Sequence, residues 1–97
     1  MIHLEPRGKY DEAILEEDYE SNVVIYSFES LVDILMKDIA THHPDTNQKE
    51  IYMMACDHIS FNIEGMRGNY KDWPLFLEED EYDEHKKKNH VGGVVRN

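Results

Sequence analysis

Ninety-seven residues make one small domain at most, and 40% hydrophobic against 32% charged residues allows a core but little room for a deep catalytic cavity. Twenty-one acids against ten Lys and Arg give a net charge of −11, which disfavours nucleic-acid phosphate and anionic lipid as direct ligands. No apolar run approaches the ~20 residues of a membrane span, no signal-peptide pattern opens the chain, and one cysteine, Cys56, excludes an internal disulfide framework and points to a reducing, cytoplasmic setting.

Residues 1–9 contain Pro6 and Gly8, lack periodicity and read as an N-terminal arm. Tyr10, Ala13, Ile14 and Leu15 form a short apolar stretch, predicted as a first strand. It breaks at the acidic, turn-like residues 16–22. Val23, Val24, Ile25 and Tyr26 follow, β-branched and aromatic, and carry the strongest strand signal in the chain. Two strands about an acidic connection predict an antiparallel hairpin. Val24 and Tyr26 should share one face, Val23 and Ile25 the other.

Ser27 is placed to cap a helix beginning at Phe28, and Glu29 in its first turn suits the helix dipole. Leu31, Val32, Leu35 and Ile39 make its apolar stripe. Pro44 disfavours helical geometry at His43 and should end it. Asn47 with Glu50, or Asp45 with Gln48, resembles a capping box for a second helix. Ile51, Met54, Ala55, His58, Ile59, Asn62, Ile63 and Met66 recur along that helix, which should end near Gly65. A loop containing Trp73 and Pro74 leads to Leu75, Phe76 and Leu77, predicted as a third strand beside the hairpin. The expected fold is α+β: one domain over residues 10–79, its strands packed against two helices, with Leu31, Leu35, Ile51, Ile59 and Ile63 buried. Residues 80–97 are expected as a charged, flexible tail, because an acidic block at 78–84 precedes Lys86, Lys87 and Lys88 without apolar period.

Catalytic and metal signals are weak. His42, His43 and Asp45 are adjacent, but no third ligand has a spacing that would complete a zinc site. Cys56 and His58 point apart on a helix, and Asp57 beside the thiol opposes thiolate formation. Gly65 and Gly68 flank a segment without the lysine of a phosphate loop. No catalytic residue, metal site or cofactor is expected.

Charge distribution and aromatics say more. Residues 10–84 hold twenty acids and four bases, which is −16; the flanks hold one acid and six bases, which is +5. Such a body attracts a basic surface, although acids also simply keep a small protein soluble. Tyrosine and tryptophan pair apolar area with a polar tip and are enriched at interfaces. The candidate contact residues are therefore Glu16, Glu17, Asp18, Tyr19 and Glu20 in the hairpin connection, Tyr70 and Trp73 in the late loop, and Glu78, Glu79, Asp80 and Glu81 after the third strand.

The order of segments resembles a loose group of small bacterial and phage proteins. Tyr10, Asp11, Ala13 and Ile14, then Val23, Val24 and Tyr26, then Leu31, Ile34, Leu35 and Met36, and finally Phe61, Asn62 and Pro74 carry the likeness over residues 10–77. The acidic connection and the stretch at 40–49 depart from it. The resemblance implies the architecture and a phage origin, and it brings no activity and no site. The expected function is non-catalytic binding to a protein with a basic surface, as a modulator or inhibitor of a host protein. The alternative is a self-associating module, for instance a homodimer through an exposed strand edge.

Overall fold

The computed structural model describes residues 1–95 and has an α+β architecture around a three-stranded mixed sheet of order β1-β2-β3. A short turn of helix, α1 (Arg7–Tyr10), and a 3₁₀ turn (Asp11–Ala13) lead into β1 (Ile14–Asp18). β2 (Val23–Ser27) pairs with β1 in antiparallel fashion, with Glu17 opposite Val24 and Asp18 opposite Val23. The hairpin is present, but β1 begins at Ile14 rather than Tyr10 and takes in Glu16, Glu17 and Asp18. The acids expected in a loop thus lie on an edge strand, where charge deters pairing with a further strand. A register irregularity between Ile14 and Glu16 takes up the extra residue Leu15.

β2 is buried along its whole length, as a central strand of hydrophobic residues should be. Ser27 ends it and caps α2 (Phe28–His42), its hydroxyl accepting from the Ser30 N–H at 3.1 Å. Residues 43–47 connect to α3 (Gln48–His58), capped by Asn47, whose side chain accepts from the Glu50 N–H at 2.9 Å. Leu31, Leu35, Ile51, Ile59 and Ile63 are all buried, together with Val24 and Tyr26 from one sheet face. The two helices return the chain to the sheet, so β3 (Leu75–Leu77) joins β2 in parallel, with Phe76 beside Tyr26. Their rings stack at 5.9 Å.

The second helix does not run as one α-helix to Gly65. It passes at Ile59–Ile63 into a π turn and at Glu64–Asn69 into 3₁₀ geometry. The buried residues Ile51, Ala55, Ile59 and Ile63 explain the change. A strict four-residue spacing drifts about 40° per step around a 3.6-residue helix. The wider π turn corrects the drift and keeps Ile59 and Ile63 on the core.

The N-terminal flank and the start of the tail join the body. Leu4 is buried, and its N–H donates to the Tyr26 hydroxyl at 2.8 Å. Lys9 reaches Asp38 at 2.9 Å, and the Met1 amino group donates to Asp72 at 2.8 Å. The charged tail is helical: α4 (Glu79–Val95) starts two residues after β3, and the last two tail residues lie outside the described ones. Its start is capped by Glu81, which accepts from the Glu78 N–H, and by Glu29 of α2, which accepts from the Glu79 N–H at 3.0 Å.

Candidate partner-binding surface

The sheet pairing decides where each acidic side chain goes. On β1, Glu16 and Asp18 share the face of Ile25 and Val23, while Glu17 shares that of Val24. Glu17 therefore faces the side on which the N-terminal segment lies and pairs with the His3 ring. That bond holds the Glu17 carboxyl below the usual carboxylate range. Glu16 faces α4 and accepts from the Tyr82 hydroxyl at 2.8 Å.

Asp18 closes the hairpin. Its Oδ1 accepts from the Glu20 and Ser21 N–H groups in an Asx turn, and the Ser21 side chain, with these N–H groups behind it, holds the Asp18 carboxyl below the usual carboxylate range. Asn22 completes the reversal at φ 61°, a left-handed geometry that asparagine tolerates well. Glu16, Glu17 and Asp18 are thus engaged inside the fold. The turn itself, residues 19–22, remains exposed, with Tyr19 at 77% and Glu20 beside it.

Tyr70 and Trp73 stack on each other, ring centroids 5.2 Å apart. The Trp73 indole donates to the Ile63 carbonyl at 2.8 Å, so it is fixed to the end of the π turn. Tyr70 is 47% exposed. The pair forms a wall between two concavities. One, of about 630 Å³, is lined by Asp18, Glu20 and Ser21 of the turn, by Val23 and Leu75 of the sheet, and by Arg67, Lys71 and His85. The structure therefore brings the turn acids and the late aromatic loop together. The other, of about 540 Å³, opens between the N-terminal segment and the π turn.

Glu78, Glu79, Asp80 and Glu81 lie away from that wall, at the exposed start of α4. Glu79 also comes within 3.5 Å of the Ser27 hydroxyl at the end of β2. From there α4 crosses the sheet: Tyr82 meets Glu16, and His85 reaches the concavity beside Val23. Burial, with Glu16 beside it, pushes the Tyr82 hydroxyl up to about 12. Its folded value lies above the ordinary value of about 10, so the contact is intact below pH 10 and is lost as pH rises from about 10 through about 12. Tyr82→Phe should lower the melting temperature at pH 8 and match the unmodified protein near pH 12. A melting difference that persists unchanged to pH 12 would show that the hydroxyl does not anchor α4.

Among the described residues, no three His, Cys, Asp or Glu side chains come together as metal ligands. His42 points its Nδ1 at the Asp38 carbonyl, 2.9 Å away, as a helix-terminal histidine does. Sequence reasoning missed His3, Glu5 and the second concavity, because residues 1–9 read as an arm outside the domain. The one available signal was His58 with Asn62, four apart on a helix. Their side chains lie 3.3 Å apart and line that cavity rather than the core. No protein-family model, curated protein or solved structure matches the chain.

Proposed function

We propose that this is a small acidic binding protein without catalysis of its own, which modulates or inhibits a partner protein by docking on its basic surface. The reading rests on one juxtaposition: a half-exposed Tyr70–Trp73 stack shares a concavity with the acidic hairpin turn, on a body of twenty acids and four bases. Arg67, Lys71 and His85 give the concavity itself mixed charge. The attraction therefore comes from the field of the whole body, and the aromatic pair supplies the area to be buried.

Imitation of a phosphate chain, the strong form of such binding, has little support at β1. Glu16 and Asp18 stand on one strand face, but Tyr82 and the turn N–H groups already occupy them. A second reading, self-association, draws on Phe61 and Met53, which are 77% and 55% exposed. Pairing through the β1 edge is disfavoured, because the strand would set three consecutive carboxylates against another copy's.

The test is capture from cell lysate at about 50 mM and about 500 mM salt, followed by association kinetics with the purified partner. A partner held at low salt, with association slowing as salt rises, is the expected result. Recovery of nothing but a second copy, with sedimentation that shifts with concentration, would replace this reading with the self-associating one.

A further inference from the structure

The cavity of about 540 Å³ lies on the other side of the aromatic wall, and its lining differs from its neighbour's. Tyr10, Tyr70 and Trp73 give it three aromatic rings, Leu4 and Ile63 an apolar floor, and Glu5 a carboxylate. Among the described residues, no Lys or Arg lines it. Glu5 is exposed and makes no hydrogen bond or ion pair among the described residues. The cations nearby in the chain are already held: Lys9, whose ammonium lies 5.4 Å from the Tyr10 ring, pairs with Asp38, and the Met1 amino group pairs with Asp72. His3 is occupied by Glu17, and His58 faces the Asn62 amide.

We infer that this cavity receives an arginine side chain from the basic partner. The inference rests on the binding function proposed above and names the group that would be read. Aromatic faces attract cations through the ring quadrupole, and the attraction grows where water is excluded. A free carboxylate at the mouth adds a charge-assisted partner. Arginine suits this better than lysine, because its planar, weakly hydrated guanidinium stacks on rings, whereas an ammonium holds its water. The negative body rejects an anionic ligand. The volume falls in the range of roughly 300–1,000 Å³ typical of ligand sites, so it admits the arginine together with part of the flanking peptide.

Trp73 is the single tryptophan, so its emission reports on this wall directly. The experiment titrates the whole protein with end-blocked Gly-Gly-Arg-Gly-Gly, with its lysine and citrulline counterparts, and with free propylguanidinium. The arginine peptide should give a saturable change in emission. The lysine peptide should bind about three- to tenfold more weakly, and the citrulline peptide should give no response. Glu5→Gln should weaken the arginine peptide by about three- to tenfold with no change in melting temperature. Equal responses to arginine and citrulline, or no effect of Glu5→Gln, would overturn the site. Propylguanidinium binding as tightly as the peptide would overturn a partner side chain as the source and leave a small organic cation in its place. Tyr70→Ala and Glu5→Gln are then measured against the captured partner. Unchanged affinity with salt dependence intact would remove this cavity from the interface and leave the basic-partner reading standing, whereas loss of salt dependence in the unmodified protein would remove that reading itself.

Discussion

Replacing Leu35 with alanine is expected to lower stability by roughly 2–5 kcal/mol, the cost of deleting a buried leucine and leaving part of its space empty. Leu35 is 3% exposed and belongs to the cluster that joins α2 and α3 to the Val24 and Tyr26 face of the sheet. Leu31, at 0%, and Ile59, at 0%, belong to the same cluster, so the cavity opens at the centre of the core and not at its rim. A domain of this length holds about 5–15 kcal/mol in total. Each kcal/mol shifts the melting temperature by about 4–8 °C at this size. Thermal denaturation followed by circular dichroism should therefore show a drop of roughly 8–40 °C. Ile34→Ala, at a half-buried position on the same helix, should cost less. An unchanged melting temperature for Leu35→Ala would take Leu35 out of the core.

The core was legible because its residues repeat at helical and strand periods. Leu31 and Leu35 on one helix, Ile51, Ile59 and Ile63 on the other, and the alternation along β2 all follow from side-chain geometry alone. What was not legible depends on contacts between segments distant in sequence. Nothing in residues 1–9 shows that Leu4 will use the Tyr26 hydroxyl, twenty-two positions on. Nothing local places Glu16, Glu17 and Asp18 on a strand. β-propensity disfavours them there, and it is the buried β2 that pulls them into register.

The charged tail shows a different limit. An apolar period is the primary helix signal, and α4 has none. Its helix signal lies instead in the order of its charges. Glu79, Asp80 and Glu81 occupy the first turn, where acids suit the dipole, and Asp83 is followed four residues later by Lys87. Read as separate like-charge blocks, the same residues look solvated. The candidate surface was half legible for a related reason. The acidic connection and the aromatic loop could each be named from composition, but they meet only because β3 runs parallel to β2, which sets the loop before β3 at the same end of the sheet as the turn before β2.

The acids that steer association should be those with no work inside the fold. Glu16, Glu17 and Asp18 are bound to Tyr82, to His3 and to the turn N–H groups, so neutralising them would loosen α4, the N-terminal segment and the hairpin together. Glu20, Glu78 and Asp80 are exposed, and their carboxylates make no hydrogen bond or ion pair among the described residues. Glu20→Gln, Glu78→Gln and Asp80→Asn together take the net charge from −11 to −8. Steering by a charged surface changes association rates by roughly 10- to 1,000-fold in total, and rim charges act mainly on that rate. The triple variant should therefore associate with the basic partner about tenfold more slowly at low salt, with a shallower dependence on salt and an unchanged melting temperature. Its dissociation rate should stay near that of the unmodified protein, because the Tyr70–Trp73 wall is intact. Association at the unmodified rate in low salt would mean that these three carboxylates do not steer the encounter. Binding insensitive to salt in both proteins would leave the acids a solubilising role and assign recognition to the aromatic wall alone.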